Sequence, residues 1–521
     1  MMRSVSLKRG VIFVHRWLGA TLCLAFLLWF PSGIVMMYWD FPSVSADDRL
    51  ERSPSLDAAK IRISVADAFA TLNPLLDPSF APAQIRLSTR DGRPAYSFRN
   101  GHDEAIVYAD NGERQHDIRI PLMTRVAAAW TGQPASDATI AAIDVDQWTV
   151  EGPFRDLQPI WKYSWPDGEQ VYVSQATGDV VQYTTRSSRL GAYLGAIPHW
   201  LYFTPLRRHP LAWRRVVIGS SGAGACTAML GLIIGCWMYS PAKRPRRSGV
   251  LSGIPYRGLK RWHTVLGLTF GLGAATWAFS GLLSMDPFPS RPAGPAGGHV
   301  DAAATMTQAL RDRLPVAAIA AQDPRLALTK VAGLNVKELE LASFAGEPLY
   351  IATLGRGDTR VVPMNGAPRT GFDPRRVVDV LKKAAGPGGV AEIRTLERYD
   401  RYYLDRRGQR PLPVLLVRLN DAEHSRFYID PRTARIVGSY STRNWVTRWL
   451  YHGLHSLDFP WLYSMRPLWD IVLLTFMVGG AALSATAAIL AWRVVGRTLA
   501  AWAGAGGTRA DLAADGVDGG R

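Results

Sequence analysis

Four apolar stretches, each long enough to cross a bilayer as a helix, constrain this chain more than any other feature. They run from about Val11 to Tyr38, Val216 to Tyr239, His263 to Met285 and Ile471 to Trp492. A helix needs roughly 20 apolar residues to cross a hydrocarbon core of about 30 Å, and each stretch reaches that length. The first stands where a signal peptide would, with Val44-Ser45-Ala46 as a small-residue site, but its apolar run is too long for an h-region. It also has a partner later in the chain.

The formal net charge of +17 would suit a nucleic-acid partner, but its placement argues for a lipid bilayer instead. Arg3, Lys8 and Arg9 precede the first stretch with no acid among them. The loop between the second and third stretches carries Lys243, Arg244, Arg246, Arg247, Arg257, Lys260 and Arg261, again with no acid. Such residues beside spanning helices mark the cytoplasmic side. The expected layout is a cytoplasmic N-terminus (1–10), a membrane helix (11–38), an extracytoplasmic domain (39–212), a second helix (216–239), a basic cytoplasmic loop (240–262), a third helix (263–285), a second extracytoplasmic domain (286–466), a fourth helix (468–492) and a disordered cytoplasmic tail (497–521).

The chain reads as an internal duplication. Laying the first stretch on the third at an offset of 248 pairs His15 with His263, Gly19 with Gly267, Trp29 with Trp277, Ser32 with Ser280 and Gly33 with Gly281, without a gap. An offset of 256 lays VYVSQATGDVV over FYIDPRTARIV and carries on to His199 over His455 and Phe203 over Phe459. Apolar composition matches easily by chance; His, Gly and Trp at fixed offsets do not. Between the helices the pattern is strand-like and turn-punctuated. RPAYSFRNGHDEAIVYADNGERQ alternates around Asn-Gly turns, and VADAFATLNPLL and PRRVVDVLKKAA have helical periodicity. The expected fold is an integral membrane protein with four transmembrane α-helices and two α+β extracytoplasmic domains, each built of two small modules.

These modules, a helix followed by a hairpin ending in Tyr-x-x-x-x-Thr-Gly-x-Val, resemble the PepSY module. The runs Gly195-Ala-Ile-Pro-His199-Trp-Leu-Tyr-Phe203 and His452-Gly-Leu-His455-Ser-Leu-Asp-Phe459, with the His15-Arg-Trp-Leu-Gly19 opening, resemble the PepSY-associated transmembrane family. The resemblance covers nearly the whole chain apart from the C-terminal tail. It implies a bacterial inner-membrane protein with periplasmic domains, associated with iron uptake. The family includes ferric-siderophore reductases that carry b-type haem, beside many members with no assigned activity.

The histidines at the membrane boundaries carry the chemistry. His15 and His263 lie one turn inside the cytoplasmic ends of their helices, where an ionisable side chain is costly without a use. Gly19 and Gly267 follow four residues on, on the same helical face, and would clear space for a flat macrocycle or for close helix packing. His199 and His455 precede the second and fourth helices among aromatic residues, and His452 lies three residues before His455. The functional reading is axial ligation of iron in two b-type haems, by His15 with His263 and by His199 with His455 or His452, with cross-pairing left open. The competing reading makes the first two interfacial anchors beside Arg16 and Arg261, and the others backbone hydrogen-bonders. Met36, Met37 and Met285 could offer soft ligands, but packing in a helix end is the favoured reading, and Asp470 could assist proton movement but better suits a helix cap.

Cys23, Cys226 and Cys236 all lie in apolar stretches and no C-x-x-C-H motif exists, so haem would be held non-covalently. With no G-x-G-x-x-G after a strand, no Walker motif and no H-E-x-x-H, the chain has no nucleotide-binding domain of its own. As a redox enzyme it would take electrons from a membrane quinol or a cytoplasmic donor and pass them outward, with a ferric siderophore as the acceptor the resemblance implies. The alternative is a PepSY membrane protein that binds or regulates a periplasmic partner and catalyses nothing.

Overall fold

The computed structural model describes residues 2–72, 82–100, 103–115, 118–239, 253–287, 302–311 and 323–514. Most of the basic loop, His102, His116 and His299 lie outside the described residues. The described chain divides into two compact units, one of residues 1–41, 187–290 and 446–521, the other of 42–186 and 291–445.

The first unit holds four helices long and apolar enough to span a membrane: Ser6–Met36, Pro210–Met238, Leu259–Leu283 and Leu468–Thr498. They form where the apolar runs predict, since a helix satisfies its own backbone groups where lipid offers none. Leu24, Leu272, Ile471, Val478 and Ile489 stay exposed on the outside of the bundle, a surface suited to lipid. The fourth helix continues to Ala514, past Arg497, where a disordered tail was expected. Alanine-rich sequence is the strongest helix former, and that propensity outweighs the glycines among Ala501–Ala514.

Inside the bundle Phe30, Ala274, Trp277, Leu473 and Met477 pack together, joined by Leu462 and Trp469 from the chain around the start of the fourth helix. Small residues let rings lie against backbone. A Cβ on Gly480 would enter the Phe30 ring, and one on Gly479 would stand 2.5 Å from the Phe270 ring. Gly480→Ala should therefore destabilise the protein by about 1–3 kcal/mol, the cost of overpacking a filled interior. Thermal unfolding in detergent measures it, with Gly496→Ala, whose Cβ would meet nothing within 4 Å, as the neutral comparison.

Among the described residues the second unit has fourteen strands. In the segment after the first membrane helix these are β1 (Gln84–Arg90), β2 (Arg93–Asn100), β3 (Asp103–Tyr108), β4 (Thr139–Ile143), β5 (Ile160–Ser164), β6 (Gln170–Ser174) and β7 (Val180–Thr184). After the third come β8 (Glu338–Phe344), β9 (Glu347–Gly355), β10 (Asp358–Pro363), β11 (Val390–Leu396), β12 (Val414–Leu419), β13 (Arg426–Asp430) and β14 (Arg435–Tyr440). Each segment thus gives three strands, a helix (Ile120–Thr131 or Pro374–Ala384) and four more strands, in that order. Asp91-Gly92 joins β1 to β2 with both residues at positive φ, the two-residue turn that suits strand twist, and Ala345-Gly346 repeats it between β8 and β9.

The two segments were expected to fold as separate domains. They share one sheet instead. Its order is β10-β9-β8-β1-β2-β3, with β1 and β8 antiparallel at its centre. A three-stranded piece alone would leave the edges of β1 and β8 unpaired, and joining them removes both. Side-chain alternation splits the seam into two faces. Ile85, Leu87, Leu339 and Leu341 turn one way, into a core with Val65, Phe69 and Leu72 of the helix Val65–Leu72. Arg86, Glu338 and Glu340 turn the other way. Each four-stranded sheet, β4 to β7 and β11 to β14, packs on its own helix, through Met123 and Ala127 in the first and Val377 and Leu381 in the second.

Candidate functional site: two histidine pairs in the membrane unit

The first pair lies near the start of the first and third membrane helices. The rings of His15 and His263 stand with centroids 6.4 Å apart. His15 Nδ1 lies 3.0 Å from the Thr227 carbonyl on the second helix. His263 Nδ1 lies 3.1 Å from Thr486 Oγ1 on the fourth. Gly231 gives His15 its room, since a Cβ there would stand 2.8 Å from the ring. Gly19 and Gly267 do not clear the rings in this way. They face Thr227 Cγ2 and Leu483 Cδ1 across helix contacts, at 3.9 and 3.8 Å from where a Cβ would stand.

The second pair lies where the first and third helices end. His199 sits on the short helix Ala196–Trp200 and His455 on Leu454–Ser456, with ring centroids 6.0 Å apart. His199 Nδ1 is 3.2 Å from Ser32 Oγ and 3.1 Å from the Trp29 carbonyl. His455 Nδ1 is 2.9 Å from Ser280 Oγ. The two serines are the residues that align at offset 248.

The hydrogen-bond partners decide the tautomers. A carbonyl only accepts, so His15 and His199 carry their proton on Nδ1. Ser280 Oγ donates to the Trp277 carbonyl at 3.0 Å, and Thr486 Oγ1 donates to the Leu483 carbonyl at 2.7 Å. Each hydroxyl has therefore spent its proton and accepts from the imidazole. All four rings thus donate from Nδ1, which makes Nε2 the nitrogen a metal would take, the arrangement in which metal-bound histidines are held by their outer partners.

These residues fit a metal that brings its own equatorial ligands. Among the described residues no group of three or more His, Cys, Asp or Glu is placed to hold a bare metal ion, and each pair offers two imidazoles, the axial complement of a haem. A metal about 2.0–2.1 Å from one nitrogen of each ring, with each centroid about 1.1 Å further back, puts the centroids about 6.3 Å apart. The observed 6.4 and 6.0 Å bracket that separation. The second pair also lines a cavity of about 280 Å³ walled by Phe26, Trp29, Phe30, Trp277 and Met477, with Ala274, Ala278 and Gly281 as small neighbours. Its volume falls just below the roughly 300–1,000 Å³ of ligand pockets.

His452 does not join either pair. It is exposed and rests on the ring of Tyr451, at 4.7 Å between centroids. Met285 lines the cavity, Met37 packs on the bundle core, and Asp470 faces Arg466 at 3.7 Å in the first turn of the fourth helix. Sequence reasoning assigned no role to Ser32, Ser280, Thr227, Thr486, Gly231 or Met477. The serines carried a signal, a polar residue repeated at one offset inside an apolar helix; the partners on the second and fourth helices carried none. Compared with family models, curated proteins and solved structures, the chain matches none.

Proposed function

We propose that this chain is a membrane redox protein that holds two b-type haems, one at each histidine pair, and passes electrons from the cytoplasmic face to the periplasmic face of a bacterial inner membrane. The observation that carries the reading is the pair of facing imidazoles, twice over, each ring locked with Nε2 as its basic nitrogen. At about 1.5 Å per residue the helix rises about 25 Å from His15 to Ser32, most of a hydrocarbon core of about 30 Å, so the pairs suit opposite faces.

When bound, the haem supplies one-electron transfer. His15 with His263, and His199 with His455, would hold the iron of the two groups. Thr227, Thr486, Ser32 and Ser280 hold the rings in orientation, and Phe26, Phe30, Trp29 and Trp277 exclude water from the second site. The repeated element order and the offset-matched His, Trp, Ser and Gly support an internal duplication, and the helix-and-strand modules support the PepSY resemblance. On that resemblance the electron acceptor is a ferric siderophore, and the donor is a membrane quinol or a cytoplasmic protein. The positive flanks support cytoplasmic termini.

A second reading, a membrane-anchored partner-binding protein, draws on β4. Its residues Thr139 to Ala142 are exposed at the edge of a sheet, a form open to strand addition. A reduced-minus-oxidised spectrum of the detergent-purified chain, expressed with haem supplied, separates the two. The redox reading expects a b-type α-band that titrates as two components, and a protein with no such band would falsify it.

A further inference from the structure

The second histidine pair is asymmetric in its surroundings, and that asymmetry bears on how an electron leaves it. The inference rests on the haem reading of this pair. At offset 256 Tyr451 and His452 fall over Gly195 and Ala196. In the first copy those positions are sealed: Ala196 is fully buried, and a Cβ on Gly195 would stand 3.0 Å from both the Gly191 carbonyl and Val35 Cγ1. In the second copy the same positions hold two conjugated rings. Tyr451 lines the cavity beside His455, at 5.5 Å between centroids, and also meets the exposed His452, at 4.7 Å. The backbone differs too. Val446–Gly453 is a π-helix, a geometry that recurs at functional sites, whereas the matching chain in the first copy is the α-helix Arg186–Leu194 followed by Ala196–Trp200.

We propose that Tyr451 and His452 form the electron exit, and that the acceptor is a small metal chelate with an exchangeable coordination position that docks on the His452 imidazole. An exposed imidazole is a ligand for first-row transition metals, and a single one suits a small chelate rather than a protein surface. His452 displaces a labile ligand from the chelate. One electron then crosses the Tyr451 ring, supplied by the reduced haem that His199 and His455 would hold, and the chelated metal goes from ferric to ferrous. No proton moves, and the imidazole–metal bond breaks as the reduced chelate leaves.

Stopped-flow reoxidation of the reduced, haem-loaded full chain tests this. Two acceptors are compared: ferric nitrilotriacetate, which has exchangeable water, and ferricyanide, which is coordinatively saturated. His452→Ala should slow the first by about tenfold, the scale of a lost metal contact, and leave the second unchanged. Tyr451→Leu should slow both, while Tyr451→Phe, which keeps the ring, behaves as wild type. Calorimetry of the oxidised protein with redox-inert gallium nitrilotriacetate gives a readout independent of turnover, and His452→Ala should weaken that binding by about tenfold. Equal reoxidation rates with unchanged gallium binding overturn the proposal. So does loss of haem from His452→Ala, which would make His452 a ligand of the site. A chain with no haem band sinks the parent reading instead, and gallium binding then still decides whether this face docks a chelate.

Discussion

If each histidine pair holds a haem as proposed, replacing His199 and His455 together by alanine is expected to lower the haem content of the purified protein by about half and to remove one of two redox components. The expectation follows from the separation of the pairs. His199 and His455 are held by Ser32 and Ser280 near the ends of the first and third membrane helices, while His15 and His263 are held by Thr227 and Thr486 at the other end of the bundle. The partners named hold each pair separately, so the component that survives should keep its midpoint potential. The His15→Ala/His263→Ala double variant should do the converse, and all four changes together should leave almost no haem. Haemochrome absorbance per mole of protein, with a potentiometric titration, measures each outcome. Full haem content in either double variant would remove that pair from the ligand set.

The second large effect belongs to Glu340. Its carboxylate on β8 sits on the charged face of the β1–β8 seam, bonded to Arg435 and 4.0 Å from Arg311. Beside it Arg86 and Glu338 form an ion pair at 3.1 Å. Burial works against the Glu340 charge, yet Arg435 and Arg311 outweigh it and hold the carboxyl below its usual range. Burial also pulls Arg311 down to about 10, so that guanidinium needs its counter-charge. Glu340→Ala leaves the partly buried Arg311 without its counter-charge beside the more exposed Arg435 and should cost about 1–3 kcal/mol, the scale of an unsatisfied charged group that solvent partly screens. Chemical unfolding of the full chain in detergent, followed by protection of residues 42–186 and 291–445 from proteolysis, measures that loss.

The pH dependence of this contribution has a definite sign. A carboxyl held down in the folded state stabilises above its unfolded value, near 4.5, and that stability fades as pH falls through the folded value. Glu338 runs the other way: burial pushes its carboxyl up despite Arg86, so it takes its proton first. The wild-type protein should therefore lose stability in acid more steeply than Glu340→Ala. A variant with the same acid limb as wild type would show that the Glu340 charge is not what holds the seam.

Much of this architecture was legible from residues alone. The four spanning helices follow from uninterrupted apolar runs, because length and hydropathy settle membrane crossing locally. The hairpins follow from alternation broken at Gly, as at Gly112 and Gly178, where the backbone takes positive φ. The histidines stood out because their offsets repeat, and the pairs observed, His15 with His263 and His199 with His455, are among those the offsets allowed.

What the sequence by itself determined is thus local: which segments enter a bilayer, which alternate as strands, and which histidines sit at helix ends. Tertiary structure alone decided who meets whom. That the two soluble segments close one sheet through β1 and β8 depends on two strand edges far apart in the chain, and no periodicity records an edge's partner. That Gly231 rather than Gly19 makes room for His15 depends on a helix from elsewhere. The tautomers, and the exposure of His452 while His455 meets His199, depend on oxygen atoms and rings contributed across the bundle. Local sequence encodes the propensity of a segment; hydrogen-bond partners and ring separations exist only once distant segments are packed.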